Sequence, residues 1–302
     1  MNWIIASLVA ALFLGVYELC TKHAVRDNAV LPVLFLSCVC SATVWGGLMF
    51  FGAAVPGVLP ASLTTVPLGP WGHLQLAAKS AIVASSWIFT YFAMKSLPVS
   101  ITSPIRATGP IWTIAGALLV LGERPSALEW AGIATTLASF VGLSFAGRGE
   151  GIAFHRDRRI GFMVMGTLIG AGSALYDKHL LGRAGFDVPT VQAWFSVYLA
   201  VLFLPLAIGW KRRWWPRNEF RWRWSIPGIS AMLLASDYIY FGALRNPEAL
   251  VSVVSSLRRG STLVAFAGGL WLFGERHGLR KLPAVLGVLA GIALTLLGQA
   301  KS

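Results

Sequence analysis

Two stretches of this chain decide its fold: VSITSPIRATGPIWTIAGALLVLGER at residues 99–124 and VSVVSSLRRGSTLVAFAGGLWLFGER at residues 251–276. Aligned without a gap, they share the opening Val-Ser, an arginine (Arg106 and Arg258), an Ala-Gly pair and the closing Gly-Glu-Arg. Both are apolar over the length that a helix needs to cross a bilayer, about 20 residues. An arginine inside such a helix costs about 2.5–3.5 kcal/mol or more unless it faces protein or water. The chain meets that cost twice, at matching positions. The two stretches therefore read as internal copies arranged around a polar interior, and carrying a solute across a membrane is the natural use of one.

The rest of the sequence agrees. Of its 302 residues 56% are hydrophobic and 12% charged, against about one-quarter charged in soluble domains. The three cysteines, Cys20, Cys38 and Cys40, lie in apolar stretches and read as packing residues. The histidines lack metal-ligand spacing, and no cofactor motif or catalytic set is present, so neither a metal site nor an enzyme is expected. The net charge of +13 would suggest nucleic acid in a soluble protein. Here the basic residues fall in short loops between apolar runs. The densest, KRRWWPRNEFRWRW at 211–224, reads as an interfacial anchor on the lipid bilayer. No nucleic-acid partner is expected. The first apolar run lacks a basic leader and reads as a span.

Ten spans are predicted, at 3–22, 31–51, 74–94, 100–121, 128–146, 160–181, 191–210, 226–244, 249–273 and 282–297. Pro104 and Pro110 should kink or break the fourth. Leu19, Lys22 and His23 of the first span match Leu175, Lys178 and His179 of the sixth; Ala84-Ser85 of the third aligns with Ser236-Asp237 of the eighth. The expected organisation is all-α: a five-helix repeat at 1–147, a basic connecting loop at 148–159 and a second five-helix repeat at 160–302. An odd number of spans per copy makes the second enter from the opposite face, so the repeats are inverted. Arginine and lysine are richer in the loops opposite the termini, which places both termini outside.

The intramembrane charges form a constellation. Glu18, one turn before Lys22, lies level with Arg106; Asp177 and Lys178 lie level with Arg258; Lys79 and Asp237 sit in the third and eighth spans. The expectation is two polar clusters, one per half, flanking a cavity, with Glu18–Arg106 and Asp177–Arg258 as ion pairs. Positive charge is in excess, so the substrate should carry an anionic group. Arg106, Arg258, Lys22 and Lys178, with Trp87, Tyr91 and Tyr238, are assigned to substrate binding. Glu18, Asp177, Asp237 and Lys79 are assigned to coupling or gating. Asp237 lacks a basic residue one turn away on its own helix, which makes it the candidate site for a coupling proton unless Lys79 or Arg258 pairs with it. Glu123 and Glu275 read as loop-level caps.

The segments LGERPSALEWAGI and FGERHGLRKLPAVLGVLAGIAL, with ALYDKHLL and NAVLPVLF, resemble the EamA repeat of the drug/metabolite transporter superfamily. That resemblance covers nearly the whole chain, twice. It implies ten helices, a central cavity and alternating access, with both termini cytoplasmic, the reverse of the loop-charge reading. The function expected is secondary active transport, by export, of a small organic metabolite such as an amino acid or organic acid. The protein would be a monomer or homodimer in the cell (inner) membrane, with a proton as coupling ion. A flippase or carrier of lipid-linked or amphipathic molecules is the alternative.

Overall fold

The computed structural model describes residues 2–97, 105, 106, 108–145, 158–214, 218–261 and scattered positions from 263 to 298. Every regular element among them is helical: α1 (Trp3–Val25), α2 (Val30–Ala54), α3 (Pro70–Ser96), α4 (Gly109–Gly116), α5 (Ala127–Phe145), α6 (Arg158–Lys178), α7 (Val188–Lys211), α8 (Ser225–Arg245) and α9 (Val251–Arg258). Five helical segments are long and apolar enough to cross a membrane: Trp3–Val25, Val30–Ala54, Pro70–Lys95, Arg158–Arg183 and Val188–Lys211. α8 has the length but carries Ser230, Ser236 and Asp237 on its buried face. The expected tenth span and the expected linker at 148–159 lie largely outside the described residues, and Arg158 and Arg159 already belong to α6. Within or next to that tenth span, Gly287, Gly291 and Gly298 lie against Ser139, Thr136 and Glu129 of α5, the close helix approach that small residues permit in lipid.

The starts of these helices are written locally. Pro70, Pro110 and Pro189 occupy the first turns of α3, α4 and α7, where a missing N–H costs nothing. Asp187 accepts from the Thr190 amide at 2.9 Å and caps α7. Gly122, at φ 70°, closes α4 after a π-turn over Ala117–Leu121. That turn sends Glu123 to the start of α9. Its carboxylate accepts the amides of Val251 (2.7 Å) and Ser252 (3.1 Å) and the Ser252 hydroxyl (2.7 Å). The capping reading of Glu123 thus holds; Glu275 lies outside the described residues.

α1 packs antiparallel along α8, and α3 antiparallel along α6. The same contacts recur at aligned positions. Ser86 donates to the Gly166 carbonyl at 2.7 Å, and Ser236 to the Ala10 carbonyl at 2.9 Å. A methyl group on Gly116 would sit 2.2 Å from Cδ1 of Leu175, and one on Gly268 would sit 2.3 Å from Cδ1 of Leu19. Ser86 therefore corresponds to Ser236, two residues from the register read in the sequence.

The fourth span breaks, as its prolines require: Thr108 lies between helical Ile105–Arg106 and α4. The ninth, expected to run unbroken, also breaks, at Arg259-Gly260, before helix resumes at Ser261. The two breaks share their backbone bonds. The Thr108 amide donates to Ile105 (3.1 Å) and the Ile111 amide to Thr108 (2.9 Å). The Gly260 amide donates to Leu257 (2.9 Å) and the Leu263 amide to Gly260 (3.0 Å). Glycine supplies in the second copy the interruption that Gly-Pro supplies in the first.

Candidate functional site

α1, α3, α4, α6, α7, α8 and α9 line a cavity of about 210 Å³, larger than the roughly 150 Å³ that holds a benzene molecule. Arg106 and Arg258 both line it, each just before its helix break. A helix break at membrane depth is tolerated where it lines a polar cavity, and here that polarity includes three ion pairs, two of them made by the arginines. Arg106 reaches Glu18 of α1 at 3.1 Å. Arg258 reaches Asp237 of α8 at 2.5 Å and lies 3.9 Å from the centre of the Tyr240 ring. Lys79 of α3 pairs with Asp177 of α6, their side chains only 2% and 7% exposed. The Lys79 ammonium also faces the rings of Phe195 (4.5 Å) and Phe241 (4.8 Å).

One expected pair therefore forms and one does not. Asp177 takes Lys79 because α6 turns that face to α3, and Arg258 takes Asp237 on α8 instead. The two clusters expected on either side of a cavity are one constellation within it, and the Lys79–Asp177 bridge joins the two halves of the sequence. Below that bridge, one turn away along each helix, Leu76, Leu180 and Leu181 belong to the largest apolar cluster, with Trp3, Tyr240, Phe241 and Val254. The bridge is thus the cavity's floor on the side where α1 and α3 begin.

Trp87 and Tyr91 line the cavity as expected. Trp87 stacks on Tyr91 (6.2 Å) and on Phe203 (6.5 Å), and the Tyr91 and Tyr17 hydroxyls hydrogen-bond at 2.9 Å. Tyr238 does not line it; its hydroxyl donates to the Ser62 carbonyl and its ring stacks on Trp45 at 6.2 Å. The helical period puts Tyr240 and Phe241 on the face of Asp237 instead.

Lys22 and Lys178 are not among the cavity's lining residues either, because both cap helix ends. Lys22 donates to the Met94 carbonyl at the end of α3 (3.3 Å). Lys178 donates to the carbonyls of Leu244 (3.1 Å), Asn246 (3.0 Å) and Ala249 (2.7 Å) after α8. Cations suit these positions, where carbonyls lack intrahelical partners. Their matching places in the duplicated sequence reflect matching structural duties. Arg259, by contrast, lines the cavity without having been assigned to the site. Its doublet with Arg258 was the available signal.

Membrane-length apolar helices around a charged, solvent-sized chamber define a multi-pass membrane protein with the build of a solute transporter. Residues 1–145 match the model of the EamA-like transporter family, which belongs to the drug/metabolite transporter superfamily. A solved structure, titled "Crystal structure of protein", is similar over 98% of both chains, with a TM-score of 0.74 and 16% identity. That likeness is one of fold. No curated protein matches the chain.

Proposed function

We propose that the protein is a secondary active transporter that moves a small organic metabolite carrying an anionic group, such as an amino acid or organic acid, by alternating access. Two inverted five-helix halves, at 1–147 and 160–302, joined by the basic stretch at 148–159, would rock about the central cavity. The carrying observation is the Lys79–Asp177 bridge, which ties one half to the other at the cavity floor. The matching helix breaks and the matching glycine–leucine contacts support the duplication. The odd number of spans predicted for each half supports their inversion. Aromatic side chains around Arg106 and Arg258 favour a soluble substrate over a lipid-linked one.

In this mechanism the anion enters between Arg106 and Arg258 and competes with Glu18 and Asp237 for the guanidinium groups. Loss of those pairs, followed by loss of Lys79–Asp177, frees the apolar floor to part. Asp237 is engaged while Arg258 holds it. Its service as a proton site begins only when the substrate has drawn Arg258 away. Export across the cell membrane is the direction we assign, as the resemblance implies.

Proteoliposomes test the proposal. Labelled organic acids, amino acids and phosphorylated metabolites are offered with and without a pH gradient. At least one anion should cross far faster than in protein-free vesicles, and Arg258→Ala should abolish its movement while the protein still inserts and folds. Wild-type rates in that variant would remove Arg258 from the site. Failure of every anion would overturn the transport reading.

A further inference from the structure

Among the described residues, the cavity is lined by four cations but three carboxylates. Lys79, Arg106 and Arg258 are each matched, to Asp177, Glu18 and Asp237. The Arg259 side chain has no ion-pair or hydrogen-bond partner among the described residues. Arg106 and Arg258 are close enough to repel it, and Glu18, which attracts it, is already engaged by Arg106. A guanidinium with no counter-ion among the described residues, lining a cavity at membrane depth, is unfavourable, and an anion placed on it relieves the cost.

Its position is built rather than incidental. The guanidinium lies against Gly109 at the start of α4, where a methyl group would meet Nη2 at 2.5 Å and Cζ at 3.3 Å. Thr167 of α6 packs on the same spot, with Cγ2 at 3.5 Å from that methyl position. In the duplicated alignment the residue corresponding to Arg259 is Ala107. The copies thus share the arginine that is paired and differ in the one that is not. In the same cavity Arg258 Nε is also buried without an acceptor.

We propose that Arg259 is the anion receptor of the substrate, and that the substrate carries a single net negative charge on a small, largely apolar body. This rests on the transporter reading and narrows it. One unmatched cation accommodates one negative charge at docking, before the competition with Glu18 and Asp237 begins, and a second charge on the ligand would have to break a pair in order to dock. The stacked wall of Trp87 and Tyr91 receives the apolar part.

Purified protein in lipid nanodiscs is titrated calorimetrically with benzoate, phthalate and benzylamine as probes. Benzoate should bind, phthalate should bind no more tightly, and benzylamine should not bind. Arg259→Gln should weaken benzoate about tenfold or more, equivalent to about 1.4 kcal/mol, without lowering thermal stability, because it removes a charge that has no partner. Arg259→Lys should recover part of the affinity. Gly109→Ala, which keeps the guanidinium but displaces it, should fall between wild type and Arg259→Gln. Unchanged benzoate affinity in Arg259→Gln, preference for phthalate or benzylamine, or no binding of any probe would overturn the assignment. The transporter reading would survive each of these results if proteoliposomes still moved another solute.

Discussion

The Lys79–Asp177 bridge makes a prediction that separates a structural lock from a moving part. Asp177→Asn leaves the Lys79 ammonium with two aromatic faces and no carboxylate, in a residue 1% exposed. Removing one partner of a buried pair costs about 3–5 kcal/mol, because the other charge stays desolvated. The rings return about 0.5–2 kcal/mol of cation–π attraction, but they already do so in the wild type, so they do not reduce the difference. At roughly 2–4 °C per kcal/mol for a chain of this order of size, the midpoint in detergent should fall by about 10 °C. Replacing both partners, as Lys79→Met with Asp177→Leu, removes both charges and should restore stability to within about 2 kcal/mol of wild type. A plain lock would then still transport. The proposed mechanism requires the opposite: a stable double variant that does not move substrate, because the floor is no longer opened by loss of an ion pair. Thermal unfolding and proteoliposome flux on the same preparations read the two quantities. A double variant that transports at the wild-type rate, or a single variant as stable as wild type, would refute the reasoning.

Gly116→Ala should lower the unfolding midpoint, since its methyl would overlap Leu175, at about 1–3 kcal/mol for an overpacked contact; Leu175→Ala in the same chain should recover most of the loss. Gly268→Ala and Leu19→Ala should behave as the same pair in the other copy. Glu123→Gln should destabilise the protein by weakening three hydrogen bonds to a charged acceptor at the head of α9, each worth about 1.5–3 kcal/mol; thermal unfolding beside Arg124→Gln, expected to be near neutral, isolates the cap. A reporter that matures only in the cytoplasm, fused after Ser302, should stay inactive if the loop charges set the topology, and activity there would reverse the assignment.

Much of this architecture was legible in the sequence because membrane helices declare themselves by length and apolarity. The duplication was visible because the shared residues have shared duties: Gly116 and Gly268 admit Leu175 and Leu19, while Lys22 and Lys178 cap helix ends. The charges were harder. Position along a helix follows from counting residues from the membrane face, and on that basis Glu18 was matched correctly to Arg106. Direction around the helix depends on which neighbour it packs against, which counting does not supply. Hence Asp177 was assigned to Arg258 when it faces Lys79, and Tyr238 was placed in a cavity that Tyr240 lines. Lys22 and Lys178 misled for a related reason: a buried cation serves a helix end as readily as a ligand, and sequence spacing alone does not distinguish the two. The break in the ninth span was missed because its signal is Gly260 alone, without the proline that marks the fourth.

The packing repeats between the halves, but the charge does not. Glycine–leucine contacts, serine-to-carbonyl bonds, lysine caps and helix breaks all recur at aligned positions. By the same alignment Glu18 corresponds to Ala174, Asp177 to Thr21, Asp237 to Trp87 and Arg259 to Ala107. The division has a physical logic under the proposed mechanism. Alternating access needs two conformations of similar free energy, and halves with equivalent packing provide them, because each state exchanges the roles of the two copies. A single bound solute has no such symmetry, so the groups that recognise it have no reason to be duplicated. Arg106 and Arg258 belong to both patterns: they match between the copies, yet one pairs with a glutamate from α1 and the other with an aspartate from α8. Under the proposed mechanism the two helix breaks would respond to one ligand through unequal partners, and that inequality would let binding bias an otherwise balanced pair of states.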